Sequence, residues 1–141
     1  MIGSKAYVHS LSREQLHQIS AVVNMDSLAT GPTKVELDRG DKRLLQALSA
    51  IAQTLHLPLS AVNVHNVGRS DSDTFQDVGV PAITIHSLTQ ETFPILHSPR
   101  DRIEVVKLDD YYDSYKLLAA YLAYLDGRLD SPAESPGLPA Y

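Results

Sequence analysis

Residues 70–86 read SDSDTFQDVGVPAITIH. Ser70-Asp71-Ser72-Asp73 is a run of small polar residues of the kind that caps a helix N-terminus, and a helical stretch follows it. After Asp77-Val78-Gly79-Val80-Pro81, residues 80–86 (VPAITIH) are apolar and β-branched, which reads as a strand. Pro81 lies near the start of that strand, where a missing N–H is tolerated. A helix that leads directly into a strand is the unit from which α/β folds are assembled.

The same alternation extends in both directions. Upstream, residues 40–56 form an amphipathic helix with Leu44, Leu48, Ile51 and Leu55 on one face, and Pro58 limits its continuation. Residues 61–65 (AVNVH) alternate as a strand. A short helix is expected over 12–19, where Ser12 and Gln15 make a capping-box pattern. Residues 20–26 (SAVVNMD) start apolar and turn abruptly polar, as a strand running out to an edge does. Downstream, residues 108–126 form the strongest helix signal, with Leu108, Tyr111, Tyr115, Leu118, Leu122 and Leu125 recurring at steps of three and four as the expected buried stripe. Five of the seven tyrosines lie in this segment. Gly127 reads as the helix stop. The expectation is an α/β fold in three layers, with a mostly parallel or mixed sheet flanked by helices. Two regions follow: a domain over 1–126, and a Pro/Gly/Ser-rich tail over 127–141 (GRLDSPAESPGLPAY) too poor in apolar period to offset ordering entropy.

Composition narrows the function classes. The chain has 141 residues, 43% hydrophobic and 21% charged, with a net charge of −5. Without a basic run, neither a nucleic-acid partner nor an anionic membrane surface is expected. No apolar run approaches the ~18–20 residues needed to span a bilayer. The first residues, MIGSKAYVHSL, lack the basic and apolar regions of a signal peptide. With no cysteine in the chain, disulfides and thiolate metal sites are excluded, so a metal would have to be held by His, Asp and Glu.

Polar residues gather where strands end, the edge at which open α/β sheets build their sites. Three groups stand out: Asn24-Met25-Asp26; the 70–81 segment already quoted; and His97-Ser98-Pro99-Arg100-Asp101 with Glu104. Each alone fits turn or cap chemistry. His9, His17 and His56 fall on or beside polar helix faces, while His65 and His86 lie at strand ends near the same edge.

In order and with their flanks, the groups resemble the C-terminal half of the M28 family of zinc aminopeptidases, to which the glutaminyl cyclases are related. The motifs that carry the resemblance are Gly3-Ser4-Lys5-Ala6-Tyr7, Asn24-Met25-Asp26, Ser70-Asp71-Ser72-Asp73-Thr74-Phe75, Gly79-Val80-Pro81-Ala82 and His97-Ser98-Pro99-Arg100-Asp101. The resemblance implies a zinc-exopeptidase-like fold with a pair of zinc ions at the strand edge. It implies that Asp26 corresponds to a ligand of one zinc and His97 to a ligand of the other, and that Asp71 lies near the site. Imidazole and carboxylate donors both suit zinc, and a zinc pair acidifies a shared water and polarises a carbonyl.

The departures matter as much. The family also uses a His-Xaa-Asp, whose Asp bridges the metals, and a Glu-Glu pair that supplies the general base and a ligand. The 141 residues contain neither. By the family's order both would precede Gly3, so the chain is expected to be a truncated form of the domain, with Asp26 and His97 as vestigial ligands and zinc bound weakly or not at all. Ser72 stands where the family has His, and Leu96 where it has an aromatic residue. Glu36, Glu91 and Glu104 have no spacing that places any of them as a base. The expected function is a partial aminopeptidase domain, inactive alone, whose family removes N-terminal residues from peptides. A non-catalytic binding domain and a hydrolase whose site is completed by another subunit are the alternatives; in the last, the peptide substrate binds only once the site is complete. A domain that has lost neighbouring strands is expected to cover its open edge or apolar face with another copy, as a homo-oligomer. Family members are often exported, and the chain's compartment stays open.

Overall fold

The computed structural model describes residues 2–63 and 69–129. Helices α1 (Ile2–Ser10) and α2 (Arg13–His17) lead into strand β1 (Val22–Asp26), followed by β2 (Lys34–Glu36), helix α3 (Lys42–Thr54) and β3 (Ser60–Val62). Helix α4 (Asp71–Gln76), strand β4 (Ala82–His86), two single 3₁₀ turns (Phe93–Ile95 and Ile103–Val105) and the long helix α5 (Leu108–Leu129) complete the order. The four strands form one mixed sheet in the order β1-β4-β2-β3, in which β2 runs antiparallel to β4 and the other neighbours are parallel. This is the α/β sheet expected from the sequence. Among the described residues no helix is long and apolar enough to cross a membrane.

The two faces of the sheet differ in chemistry because side chains alternate along each strand. One face presents Val23, Val35, Ile83 and Ile85, which pack with Leu44, Leu48 and Ala52 of α3 and with Leu117, Leu118 and Tyr121 of α5 as the hydrophobic core. The opposite face is polar and is covered by α4, on which α1 packs in turn. There Thr84 bonds Ser72 at 2.6 Å and Ser70 at 2.9 Å, and receives a bond from Asn24 at 3.3 Å. Burying these hydroxyls is tolerable because they satisfy one another.

Local signals account for the ends of several elements. Ser12 caps α2 with the complete capping box read from the sequence, and Asp41 caps α3 by accepting from the backbone N–H of Arg43 and Leu44. Ser70 opens α4, with Asp73 reaching back to the Ser70 backbone N–H at 2.8 Å. Gly79 has φ +83°, a left-handed turn between α4 and β4 that a side chain would strain.

Four readings change. Strand β3 spans Ser60–Val62, beginning one residue before the expected 61–65, of which Val64 and His65 lie outside the described residues. Helix α5 continues through Gly127 to Leu129, since an exposed glycine lowers helix stability without ending a helix that tertiary packing already holds; residues 130–141 of the expected tail lie outside the described residues. The buried stripe of α5 is Ser114, Leu117, Leu118 and Tyr121 with Leu125 packed beside it, whereas Leu108, Tyr111, Tyr115 and Leu122 are exposed. Two bonds set that rotation: Thr33 to Ser114 at 2.8 Å, and the Tyr121 hydroxyl to the Leu44 carbonyl at 3.0 Å. Finally, residues 2–10, read only as carriers of a motif, are helical and place that motif against α4.

Candidate functional site

The edge of the sheet where β1 and β4 end together carries the candidate residues. The parallel register sets Asp26 beside His86, and the antiparallel register sets Lys34 on the other side of His86. Asp26 is exposed and accepts a bond from the Ser27 hydroxyl at 2.9 Å, at a turn where Ser27 has φ +48°.

His86 is only 6% exposed, and its Nδ1 accepts from the backbone N–H of Leu88 at 3.1 Å. The neutral ring therefore carries its proton on Nε2, which is enclosed and meets no acceptor among the described residues. Burial holds the His86 pKa below its ordinary value; the Lys34 ammonium pushes it further down, and Asp26 opposes this. With Nδ1 occupied and Nε2 protonated, this ring offers no free lone pair to a metal.

Two residues in from the edge, Glu36 ends β2 on the polar face, half-buried. Burial pushes its carboxyl up to about 7, and the nearby charges of Asp73, Asp38 and Asp26 act in the same direction. Beyond it, Arg39 bridges Asp73 at 2.7 Å and Asp77 at 2.5 Å, and Arg69 also reaches Asp77. Asp73 is almost fully buried, so the pairing with Arg39 is what allows its charge under α4.

Asp71, read as a site residue, turns instead toward α1. A hydrogen bond from Ser4 holds its carboxyl below the usual carboxylate range. Ser4 also lies 3.3 Å from the Thr74 hydroxyl, and the rings of Tyr7 and Phe75 are 6.2 Å apart. The Gly-Ser-Xaa-Xaa-Tyr and Ser-Asp-Xaa-Xaa-Xaa-Phe motifs are thus two halves of one helix–helix contact. Ser72, in place of the family's histidine, points into the hydroxyl cluster rather than toward solvent.

His97 is exposed in the loop after the first 3₁₀ turn, at φ +59°. Its backbone N–H donates to the Asp101 carboxylate at 3.0 Å, so the His-Ser-Pro-Arg-Asp motif closes its own turn. The structure brings Asp26, His86 and Lys34 to one edge, with Glu36 two residues further along β2 on the same face. It does not gather Asp26, Asp71 and His97 into one cluster: among the described residues no three His, Asp or Glu side chains are arranged to hold a metal ion. The described residues do not by themselves gather the donors of a zinc centre. Sequence reasoning gave Glu36 no role and did not see Lys34, because a three-residue strand is too short to show a period.

Comparison with known proteins places this arrangement. No curated protein matches the chain in sequence. Among solved structures, BSAP, a zinc aminopeptidase from Bacillus subtilis, superposes with a TM-score of 0.74 at 22% identity, covering 88% of this chain and 32% of that one. LapA aminopeptidase of Legionella pneumophila gives 0.70 at 22% identity, with 85% and 34% covered. The aminopeptidase of Aneurinibacillus sp. strain AM-1 gives 0.66 at 24%, with 87% and 29% covered. At these identities the likeness is one of fold, and the chain spans about a third of the length of each of those proteins. The sequence profile of peptidase family M28 matches residues 1–122, which take in every motif from Gly3 to Asp101, the four strands, helices α1 to α4 and most of α5. This chain belongs to peptidase family M28.

Proposed function

We propose that this chain supplies one part of a zinc-dependent aminopeptidase domain, carrying Asp26 and His97 as a ligand for each of two metals, and that it is inactive alone. The observation that supports this most directly is the M28 match over residues 1–122, in which Asp26 ends an edge-forming strand and His97 sits in an exposed loop. The reaction of the whole domain is removal of N-terminal residues from peptides. Zinc, once its remaining ligands are supplied, provides the acidified water and polarised carbonyl of that chemistry. Within this chain, Asp71 is a positioning residue that ties α4 to α1 through Ser4, and α4 in turn braces Thr84 between Asn24 and the polar side of β4.

A titration with zinc at neutral pH, run beside an aminoacyl-anilide assay, tests the reading. Two ligands that serve different metals leave each short of the three protein donors a catalytic zinc takes. The expected result is no binding tighter than micromolar and no turnover above background with added zinc. A stoichiometric nanomolar site abolished by His97→Ala would overturn it. Turnover that disappears in Asp26→Ala would overturn inactivity and favour a site completed by another subunit.

A further inference from the structure

The segment that carries His97 leaves the sheet at the end of β4, and its hydrogen bonds show where it is held. From Thr89 to Val106 they are local among the described residues. The Thr89 and Thr92 backbone N–H groups donate to each other's Oγ1 at 2.8 and 3.1 Å, the Phe93 N–H donates to the Thr89 carbonyl at 2.9 Å, and the Ser98 N–H donates to the Ile95 carbonyl at 3.0 Å. With the turn that Asp101 closes around His97, the segment is an arm of internally bonded turns.

Both ends of the arm meet one turn, residues 27–31, which directly follows Asp26. At the near end the Ser87 N–H donates to the Ser27 carbonyl at 3.3 Å, and the Thr30 hydroxyl donates to the Ser87 carbonyl at 3.2 Å. At the far end the Lys107 N–H donates to the Ala29 carbonyl at 2.8 Å. Gly31 permits the close approach, since a Cβ there would lie 3.0 Å from the Ser87 carbonyl oxygen and 3.1 Å from the Thr89 methyl group. The direction in which the arm departs is set one residue on, at Leu88. Its N–H donates to His86 Nδ1 at 3.1 Å, and its carbonyl accepts from the Lys34 ammonium. Antiparallel register sets Lys34 opposite His86, so the two side chains reach Leu88 from neighbouring strands. Among the described residues the bond to Leu88 is the one side-chain bond His86 makes, while its Nε2–H is enclosed without an acceptor. An apolar ring would fill the same space without that unsatisfied donor, so the imidazole is accounted for by what Nδ1 holds.

We propose that Lys34 and His86 are positioning residues: by holding both backbone groups of Leu88 they fix the direction of the 89–106 arm and so the place of His97 relative to Asp26. The inference rests on the reading of Asp26 and His97 as ligands of a zinc pair. Ligands of neighbouring metals must be presented at a set spacing, which the groups behind them enforce. Every bond invoked lies within this chain, so the grip on Leu88 is independent of whatever covers the remaining surface.

The test is made without metal. The chain has no cysteine, so nitroxides on Gln53→Cys in α3 and Arg100→Cys in the arm report the position of the arm alone. Pulsed electron resonance is expected to give one narrow distance distribution. Lys34→Met keeps the aliphatic stem and loses the ammonium, and His86→Phe keeps a ring and loses Nδ1; each is expected to broaden the distribution. In His86→Phe hydrogen-exchange protection of the Leu88 amide should also fall roughly tenfold while the amides of β1 and β4 hold theirs. His86→Asn places Oδ1 where Nδ1 was, and both readouts should return toward those of the parent chain. Should His86→Phe fail to fold, Lys34→Met carries the test at a position that is only partly buried. A broad distribution in the parent chain, an unchanged one in Lys34→Met and in any folded His86→Phe, or a His86→Asn chain as loose as His86→Phe would each overturn the proposal. Because no zinc enters the measurement, a failed zinc site leaves this result readable, and a loose arm leaves the zinc titration to stand or fall by itself.

Discussion

Replacing Glu36 with glutamine converts the polar face of the sheet into a measurable pH response. In the folded chain burial and three neighbouring carboxylates push the Glu36 carboxyl from an ordinary 4.5 to about 7. An acid whose folded pKa is raised binds more protons in the native state than in the unfolded chain across that window. Its stabilising contribution is therefore complete below about 4.5 and is lost as pH rises through about 7. Each pH unit of the gap is worth about 1.4 kcal/mol, which sets a ceiling on the order of 3 kcal/mol. Glu36 is partly open to water, and solvent screening reduces the expected effect to roughly 1–2 kcal/mol. Glutamine keeps the volume and carries no charge, so Glu36→Gln removes this titration. The assay is urea denaturation of both proteins at pH 5, 6, 7 and 8. The two stabilities should nearly coincide at the acid end, and the variant should be the more stable by roughly 1–2 kcal/mol at the alkaline end. Parallel pH curves for the two proteins, with a constant offset from pH 5 to 8, would refute the placement of Glu36 in a low-dielectric acidic surrounding.

Two further substitutions probe the packing. Leu48, fully buried between α3, β4 and α5, should cost about 2–5 kcal/mol when cut to alanine, read as a lower urea midpoint at unchanged slope; a loss under about 1 kcal/mol would mean that this layer is loosely packed. Thr33→Val leaves the buried Ser114 hydroxyl without its partner and should cost about 1–3 kcal/mol, whereas adding Ser114→Ala should restore part of that loss, and strictly additive effects would argue against the bond.

The sequence by itself determined much of this molecule. Residues 70–86 announced both α4 and β4, because capping chemistry and a β-branched run are local properties that need no tertiary context. Leu44 and Leu48 marked the buried face of α3 for the same reason, and the spaced motifs identified the family before any coordinates. Tertiary structure decided the rest. Helix α5 carries two neighbouring apolar rows, and hydrophobicity alone does not say which one meets the sheet; bonds from Ser114 to Thr33 and from Tyr121 to Leu44 choose the row, leaving Tyr111, Tyr115 and Leu122 outside. Asp71 and His97 are motif residues by sequence, yet Ser4 draws one toward α1 and Asp101 closes a turn around the other. Asp26, His86, Lys34 and Glu36 are scattered over sixty residues of chain and become neighbours only through strand register. Register is a long-range choice made by the whole core, and the raised pKa of Glu36 and the protonated Nε2 of His86 exist only once that choice has enclosed them.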